Sequence, residues 1–320
     1  MNSENSAIAT IAPPLSLPVS VPAGNSAARP SAAQGVVFGF FGVLAFSLTL
    51  PFTRIAVADI NPLFVGGGRA VVAAVLAIVV LAIVRPTRPK GGQWWRLGIV
   101  AVGVVAGFPV LTSLALQTVP AAHGAVVIGL LPVATAIAAV LRGGERPSLL
   151  FWLASSVGAI AVVTFVILSS GGFSGLQLAD LLLLGAVALA AIGYSEGALL
   201  SRELGSWQTI CWALIVGLPA MLPLALVGAA DGWPQADVAA WVSFAYLAVI
   251  SQFVGFFAWY RGLAIGPIAR VSQIQLIQPV MTIAWSALIL GEQLTLLVAA
   301  GAVVVLLCAV TAIRSRIRTA

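Results

Sequence analysis

Charge is what this sequence has least of. Asp, Glu, Lys and Arg make up 8% of the 320 residues, against 61% hydrophobic. Soluble domains carry about 25% charged residues, and a soluble particle needs a polar shell that so few charges cannot supply. A lipid-embedded fold has no such need. In lipid, only helices and closed barrels satisfy every backbone polar group without water. The apolar runs here are about 20 residues long rather than alternating stretches of about ten, which selects helices over a barrel.

Histidine and cysteine are nearly missing too. One histidine, His123, and two cysteines, Cys211 and Cys308, each in an apolar run, show no metal-ligand spacing. No metal or other cofactor is therefore expected. No GxxxxGK[ST] loop occurs, so nothing in the sequence indicates nucleotide hydrolysis as the energy source. The net charge is +6, but the cations are not gathered on one face, and nucleic acid is not an expected partner. A membrane-embedded enzyme would need clustered His, Asp or Glu. Here the acids are scattered over separate loops, so the expectation is that the chain is not an enzyme. That rival, and a non-transporting membrane assembly partner with a packed centre, stand as the alternatives.

What is present is a train of apolar segments. Residues 1–34 are rich in Ala, Pro and Ser and lack the basic start of a signal peptide, so they are expected to form a disordered cytoplasmic tail. Ten spans are predicted near 36–57, 63–84, 97–117, 120–141, 149–168, 179–200, 207–228, 238–260, 267–289 and 294–313. Turn and cap signals such as Asn61-Pro62, Gly143-Gly144, Gly171-Gly172 and Gly266-Pro267 separate them. The fold class is thus an all-α membrane protein with ten transmembrane helices.

Charge placement orients the spans, because Lys and Arg favour cytoplasmic loops. With the N-terminus inside, the inside segments hold Arg29, Arg85, Arg88, Lys90, Arg96, Arg142, Arg146, Arg202, Arg261, Arg270, Arg314, Arg316 and Arg318. The outside loops hold none, and both termini are expected in the cytoplasm. Lys90 is the single lysine, and with abundant Ala, Gly and Val this suggests a GC-rich bacterial genome. The expected location is the bacterial cytoplasmic (inner) membrane.

The chain also repeats itself at an offset of 147 residues. Pro120 meets Pro267, Pro132 meets Pro279, Thr135 meets Thr282, and Gly144-Glu145 meets Gly291-Glu292, with no gap. Five helices per copy is an odd number, so the second copy enters from the opposite side. The expected units are 35–171 and 172–320, an inverted repeat of the kind common in secondary transporters.

The segments "LALQTVPAAHGAVVIGLLPVATAIAAVLRGGERPS" and "RGLAIGPIARVSQIQLIQPVMTIAWSALILGEQLT" resemble the EamA repeats of the drug/metabolite transporter superfamily. The shared pattern is an apolar helix with a central Pro, then Gly-Glu-x-hydroxyl, then another apolar helix. "RAVVAAVLAIVVLA" is similar to the family's Arg-led second helix, and the resemblance covers about residues 35–313. It implies a ten-helix bundle with a central cavity, moving amino acids, other metabolites or drugs, usually outward in bacteria. One departure is Gln278, where such repeats often have Glu before the second central Pro.

Polar groups at membrane depth mark the candidate site. Pro132 and Pro279 deprive the carbonyls of Ile128 and Gln275 of their usual donors. Gln275, Gln278 and Thr282 share one helical face, and Ile128, Leu131 and Thr135 line the matching face of the first repeat. Phe46, Tyr194, Phe256 and Trp259 are the aromatic candidates for the same pocket, each equally compatible with plain packing. Glu196 reads either as a coupling carboxylate beside the cavity or as a group satisfied by Arg202 or water. Arg54 and Arg69 read first as structural, paired with Asp59 or helix-end carbonyls, with substrate contact as the alternative, and His123 as an interfacial hydrogen-bonding group. Glu145 and Glu292 read as helix-start caps. The expected partners are a small-molecule substrate and the lipid bilayer, with a homodimer as the assembly to test.

Overall fold

The structure, a computed structural model, describes residues 32–143, 145–169, 177–230, 232–314 and 317–319. The chain forms helical segments α1 (Gln34–Asp59), α2 (Pro62–Val84), α3 (Gln93–Ala115) and α4 (Ala121–Arg142), then α5 (Leu149–Ser169). After these come α6 (Leu178–Leu204), α7 (Ser206–Gly228), α8 (Val238–Ile265), α9 (Gln273–Leu290) and α10 (Leu296–Arg314). Among the described residues, the eight segments other than α5 and α10 are long and apolar enough to cross a membrane. The described residues also include a short antiparallel ladder, β1 (Glu145–Pro147) with β2 (Ile317–Thr319).

Local chemistry starts these helices where the turn signals stand. Pro62 opens α2, where its missing N–H is no loss, and the Asn61 side chain accepts from the Leu63 N–H at 2.9 Å. Gln177 and Asp180 form a reciprocal capping box at the start of α6. Asp237 accepts from the Ala240 N–H at 2.7 Å at the start of α8. Large apolar side chains such as Phe41, Ile83, Leu141, Leu226 and Leu307 point outward, while the interior is rich in buried Ala. That is the pattern a lipid solvent rewards, where close helix approach replaces the hydrophobic drive of water.

Four helices are interrupted, at positions that match across the 147-residue offset. Helix α3 widens into a π-helix over Ala101–Gly107, and α8 does so over Leu247–Val254. Helix α4 breaks between Ile128 and Leu131, just before Pro132. The stretch leading to Pro279 tightens into a 3-10 turn over Gln273–Leu276. The proline breaks follow from the sequence; the π-helices do not, and only the first has a proline, Pro109, close behind it.

Helix packing pairs α2 with α7, α1 with α8, α3 with α6, α4 with α9 and α5 with α10. The α2–α7 contact is close because Gly67 has no side chain: a Cβ there would sit 2.9 Å from both the Ala225 nitrogen and the Met221 oxygen. Neighbouring Gly66 lies as tightly against Val110 of α3. These contacts fix the register of α2, and with it the position of Arg69.

Polar contacts gather at the two ends of the bundle. At one end, Arg96 at the start of α3 and Arg142 at the end of α4 both reach Glu196 near the end of α6. At the other, Arg54 near the end of α1 donates to the carbonyls of Leu116 and Gln117 just past α3. His123 near the start of α4 meets Asp180 near the start of α6 at 2.8 Å at that same end. These contacts set α1 and α3 running one way and α4 and α6 the other.

Candidate functional site

A narrow cavity of about 10 Å³, room for about one water molecule, lies in the interior of the bundle. It is lined by Phe46 and Thr49 of α1, Arg69 of α2, Val104 and Phe108 of α3, and Tyr194 of α6. Ser251, Gln252 and Phe256 of α8 and Gln278 of α9 complete it. The two π-helical stretches meet here. Gln252 in the second donates its side-chain N–H to the Val104 carbonyl in the first, at 3.0 Å. A π-turn displaces carbonyls from the ordinary ladder, and this one finds a side-chain donor in the opposite half. Beside it, the hydroxyls of Thr49 and Ser251 hydrogen-bond at 2.8 Å.

The structure brings together part of the set expected from the sequence. Phe46, Tyr194, Phe256 and Gln278 line the cavity. Trp259 is fully buried behind them, with its ring centroid 5.4 Å from Tyr194 and 6.2 Å from Phe46. Phe46 and Phe256 stand 5.0 Å apart, so these rings form one continuous aromatic wall. Gln275 is buried with neither side-chain polar atom hydrogen-bonded, and it neighbours the Tyr194 hydroxyl. Gln278 donates weakly to the Phe46 carbonyl at 3.5 Å, while its side-chain oxygen is unpaired. Thr282 is instead committed to the Ser47 carbonyl at 2.7 Å. Ile128 and Thr135 are buried in α4 and do not line the cavity.

Arg69 departs from its expected role. Among the described residues it pairs with no carboxylate, and the Asp59 carboxylate faces the Asp237 N–H at 3.3 Å instead. The side chain is 1% exposed, lines the cavity, and leaves Nε and Nη1 without a hydrogen-bond partner. Burying a guanidinium at membrane depth costs about 2.5–3.5 kcal/mol on insertion scales even with partners nearby. The signal was in the sequence as an Arg directly after Gly66-Gly67-Gly68, but the nearby Asp59 offered a cheaper account. Thr49, Val104, Phe108, Ser251 and Gln252 carried no sequence signal that separated them from other helix residues.

Glu196 is 1% exposed and held from two sides. Arg96 binds one carboxylate oxygen, and Arg142 binds the other through Nε at 2.9 Å and Nη2 at 2.6 Å. Arg96 also reaches Glu203 at 2.6 Å. Arg202, the partner expected from the sequence, donates to the Gly266 carbonyl at 3.0 Å instead. Glu292 is a cap, but not of its own helix. Its two oxygens accept from the Ala121 and Ala122 N–H groups, each at 2.9 Å, at the start of α4. The Glu145 side chain lies outside the described residues. Arg54 and His123 take the hydrogen-bonded roles expected of them.

Comparison with known proteins agrees with this architecture. The model of the EamA-like transporter family matches the chain twice, over residues 33–167 and 177–314. The uncharacterized transporter YdeK of Bacillus subtilis (strain 168) is 46% identical over 281 residues, covering 88% of this chain and 97% of that protein. A protein of Streptantibioticus cattleyicolor named as a probable terminal-alkyne amino-acid exporter is 24% identical over 241 residues, covering 74% of this chain and 80% of its own length. A protein of known crystal structure, 17% identical, shares the fold with a TM-score of 0.64 over 88% of this chain and 97% of that one. With the family model matching both halves and a relative this similar along nearly its whole length, the chain belongs to the EamA-like transporter family.

Proposed function

We propose that this secondary transporter exports small metabolites, amino acids or drugs across the bacterial cytoplasmic membrane by alternating access. In this reading α5 and α10 also span the bilayer, giving ten helices as two inverted five-helix repeats, 35–171 and 172–320, with both termini cytoplasmic. The observation that carries the reading is the buried polar cavity where the two π-helical stretches meet, since α3 and α8 supply it from opposite halves. A site on the axis between two halves is reachable from either side as the halves rock. The matched helix interruptions and the self-paired contacts α2–α7, α4–α9 and α5–α10 support the inverted repeat. The Streptantibioticus cattleyicolor relative supports an outward direction and an amino-acid-sized cargo.

Glu196 is the coupling group in this proposal, and it acts through its ion pairs. A proton on its carboxylate releases Arg96 and Arg142, and so loosens α3 and α4 from α6 at the cytoplasmic end. The partners are the substrate and the lipid bilayer; light scattering of the detergent-solubilised protein tests for a homodimer. The experiment for function is a counterflow screen in liposomes, with and without an imposed pH gradient, over amino acids, organic acids and hydrophobic drugs. Saturable movement of at least one class, accelerated by the gradient, is expected. No movement of any class would leave the chain a membrane assembly partner.

A further inference from the structure

We infer that Arg69 is the anchor for the carboxylate of the transported molecule, so that the cavity, closed to about one water in this conformation and widening as the halves rock, selects small carboxylates with an apolar or aromatic body. The inference rests on the transporter reading and deepens it. Arg69 is the charged group in the cavity lining, and Tyr194 is its ionisable neighbour; among the described residues no carboxylate pairs with it. Glu196, the nearest acid along α6 from Tyr194, is occupied by two other guanidiniums. The side chain keeps its charge, because a guanidinium does not give up its proton in a protein. It also has free N–H donors at Nε and Nη1.

A buried charge without a partner is costly, and breaking a buried pair is among the most damaging changes a protein can suffer. This charge is kept, in a space adjoining a cavity, on a helix locked in register by Gly66 and Gly67. The natural counter-ion is then one that comes and goes. A carboxylate fits the fork of a guanidinium with two parallel hydrogen bonds. The rest of the lining says what the carboxylate is attached to. Phe46, Phe256 and Tyr194 line the same space, and Gln278 offers an unpaired oxygen. With no acid in the lining, an ammonium group on the ligand would meet only neutral groups: the amide oxygens of Gln278 and Gln252, the hydroxyls of Thr49 and Ser251, and the aromatic rings. The carboxylate is therefore required and the amine is tolerated.

The test uses the full chain in nanodiscs and four probes of one shape: 3-phenylpropionate, L-phenylalanine, L-phenylalaninamide and 2-phenylethylamine. Binding is read by intrinsic tryptophan fluorescence and by ligand-dependent thermal shift. Both carboxylates should bind the unaltered protein at least tenfold more tightly than the amide and the amine. Arg69→Gln should erase that preference, and Arg69→Lys should restore part of it as a point charge without the fork. Equal binding of acid and amide by the unaltered protein would overturn the inference without reference to any variant. So would a failure to bind either acid, or an Arg69→Gln protein that keeps the preference. These outcomes are separable from failure of the transporter reading, which shows instead as no movement of any compound in the liposome screen.

Discussion

The hydroxyl of Thr282 donates to the carbonyl of Ser47 at 2.7 Å, and Pro51, four residues on, is the reason that carbonyl is available. Proline brings no N–H to position 51, so the Ser47 oxygen loses its usual helical partner. A side chain of α9, from the other half of the molecule, replaces it. Trp285 adds a second tie, its ring N–H reaching the Ser47 hydroxyl at 3.1 Å. Thr282→Val keeps the shape and removes the donor. Inter-helix hydrogen bonds in membranes average about 0.6 kcal/mol, with a maximum near 1.7. A loss of about 1 kcal/mol in detergent unfolding is expected, with Thr282→Ser restoring most of it. Normal stability of the valine variant would show that the Ser47 carbonyl has another donor.

Gln278 and Gln275 are expected to act on transport rather than on insertion. Each carries a buried amide oxygen with no partner, and replacing it with Leu removes a polar group from a membrane helix. Gln278→Leu should weaken transport at least tenfold, about 1.4 kcal/mol. Gln275→Leu should do likewise through its position beside Tyr194. Substrate concentration curves in liposomes give the answer, and normal transport by both well-expressed variants would reassign the stripe to packing.

Glu196→Gln separates coupling from architecture. Without the carboxylate, Arg96 and Arg142 face a neutral amide in a buried position. If Glu196 carries the proton, uptake driven by a pH gradient should vanish while substrate exchange continues. Loss of both together would mark the Arg96–Glu196–Arg142 cluster as a structural clasp.

Glu292→Ala should destabilise by about 0.5–2 kcal/mol, the usual range for a lost N-terminal cap. Two N–H groups at the start of α4 lose their acceptor at once. Glu292→Gln, with one amide oxygen, should recover about half. Thermal unfolding of the purified protein distinguishes the three.

Topology can be checked with a reporter active only outside the cytoplasm. Fusions near residues 118, 172 and 232 should be active, and those near 90, 145, 204 or after the last residue should be silent. The reverse at two or more of these sites would sink the inverted arrangement.

The apolar periods, turn residues and arginine placement marked out the helices in the sequence, because the bilayer imposes a fixed length and a fixed charge bias on every span. The observed limits fall within a few residues of those read from hydropathy, including α2 at Pro62–Val84 against 63–84. Proline positions likewise announced the breaks near Pro132 and Pro279, since a missing N–H is a local fact of the chain. The aromatic members of the site and Gln278 were legible as large or polar groups at membrane depth. Tertiary structure alone decided the rest. Nothing local distinguishes Arg69 paired with Asp59 from Arg69 facing a cavity; the Gly66-Gly67 contacts with α3 and α7 make that choice. Glu196 takes Arg96 and Arg142 over Arg202 because the fold brings their helices beside it, though they lie 100 and 54 residues away in sequence. The π-helices of α3 and α8 meet at the cavity through a hydrogen bond between residues 148 apart in sequence. A hydrophobic period does not record which carbonyl a distant glutamine will take.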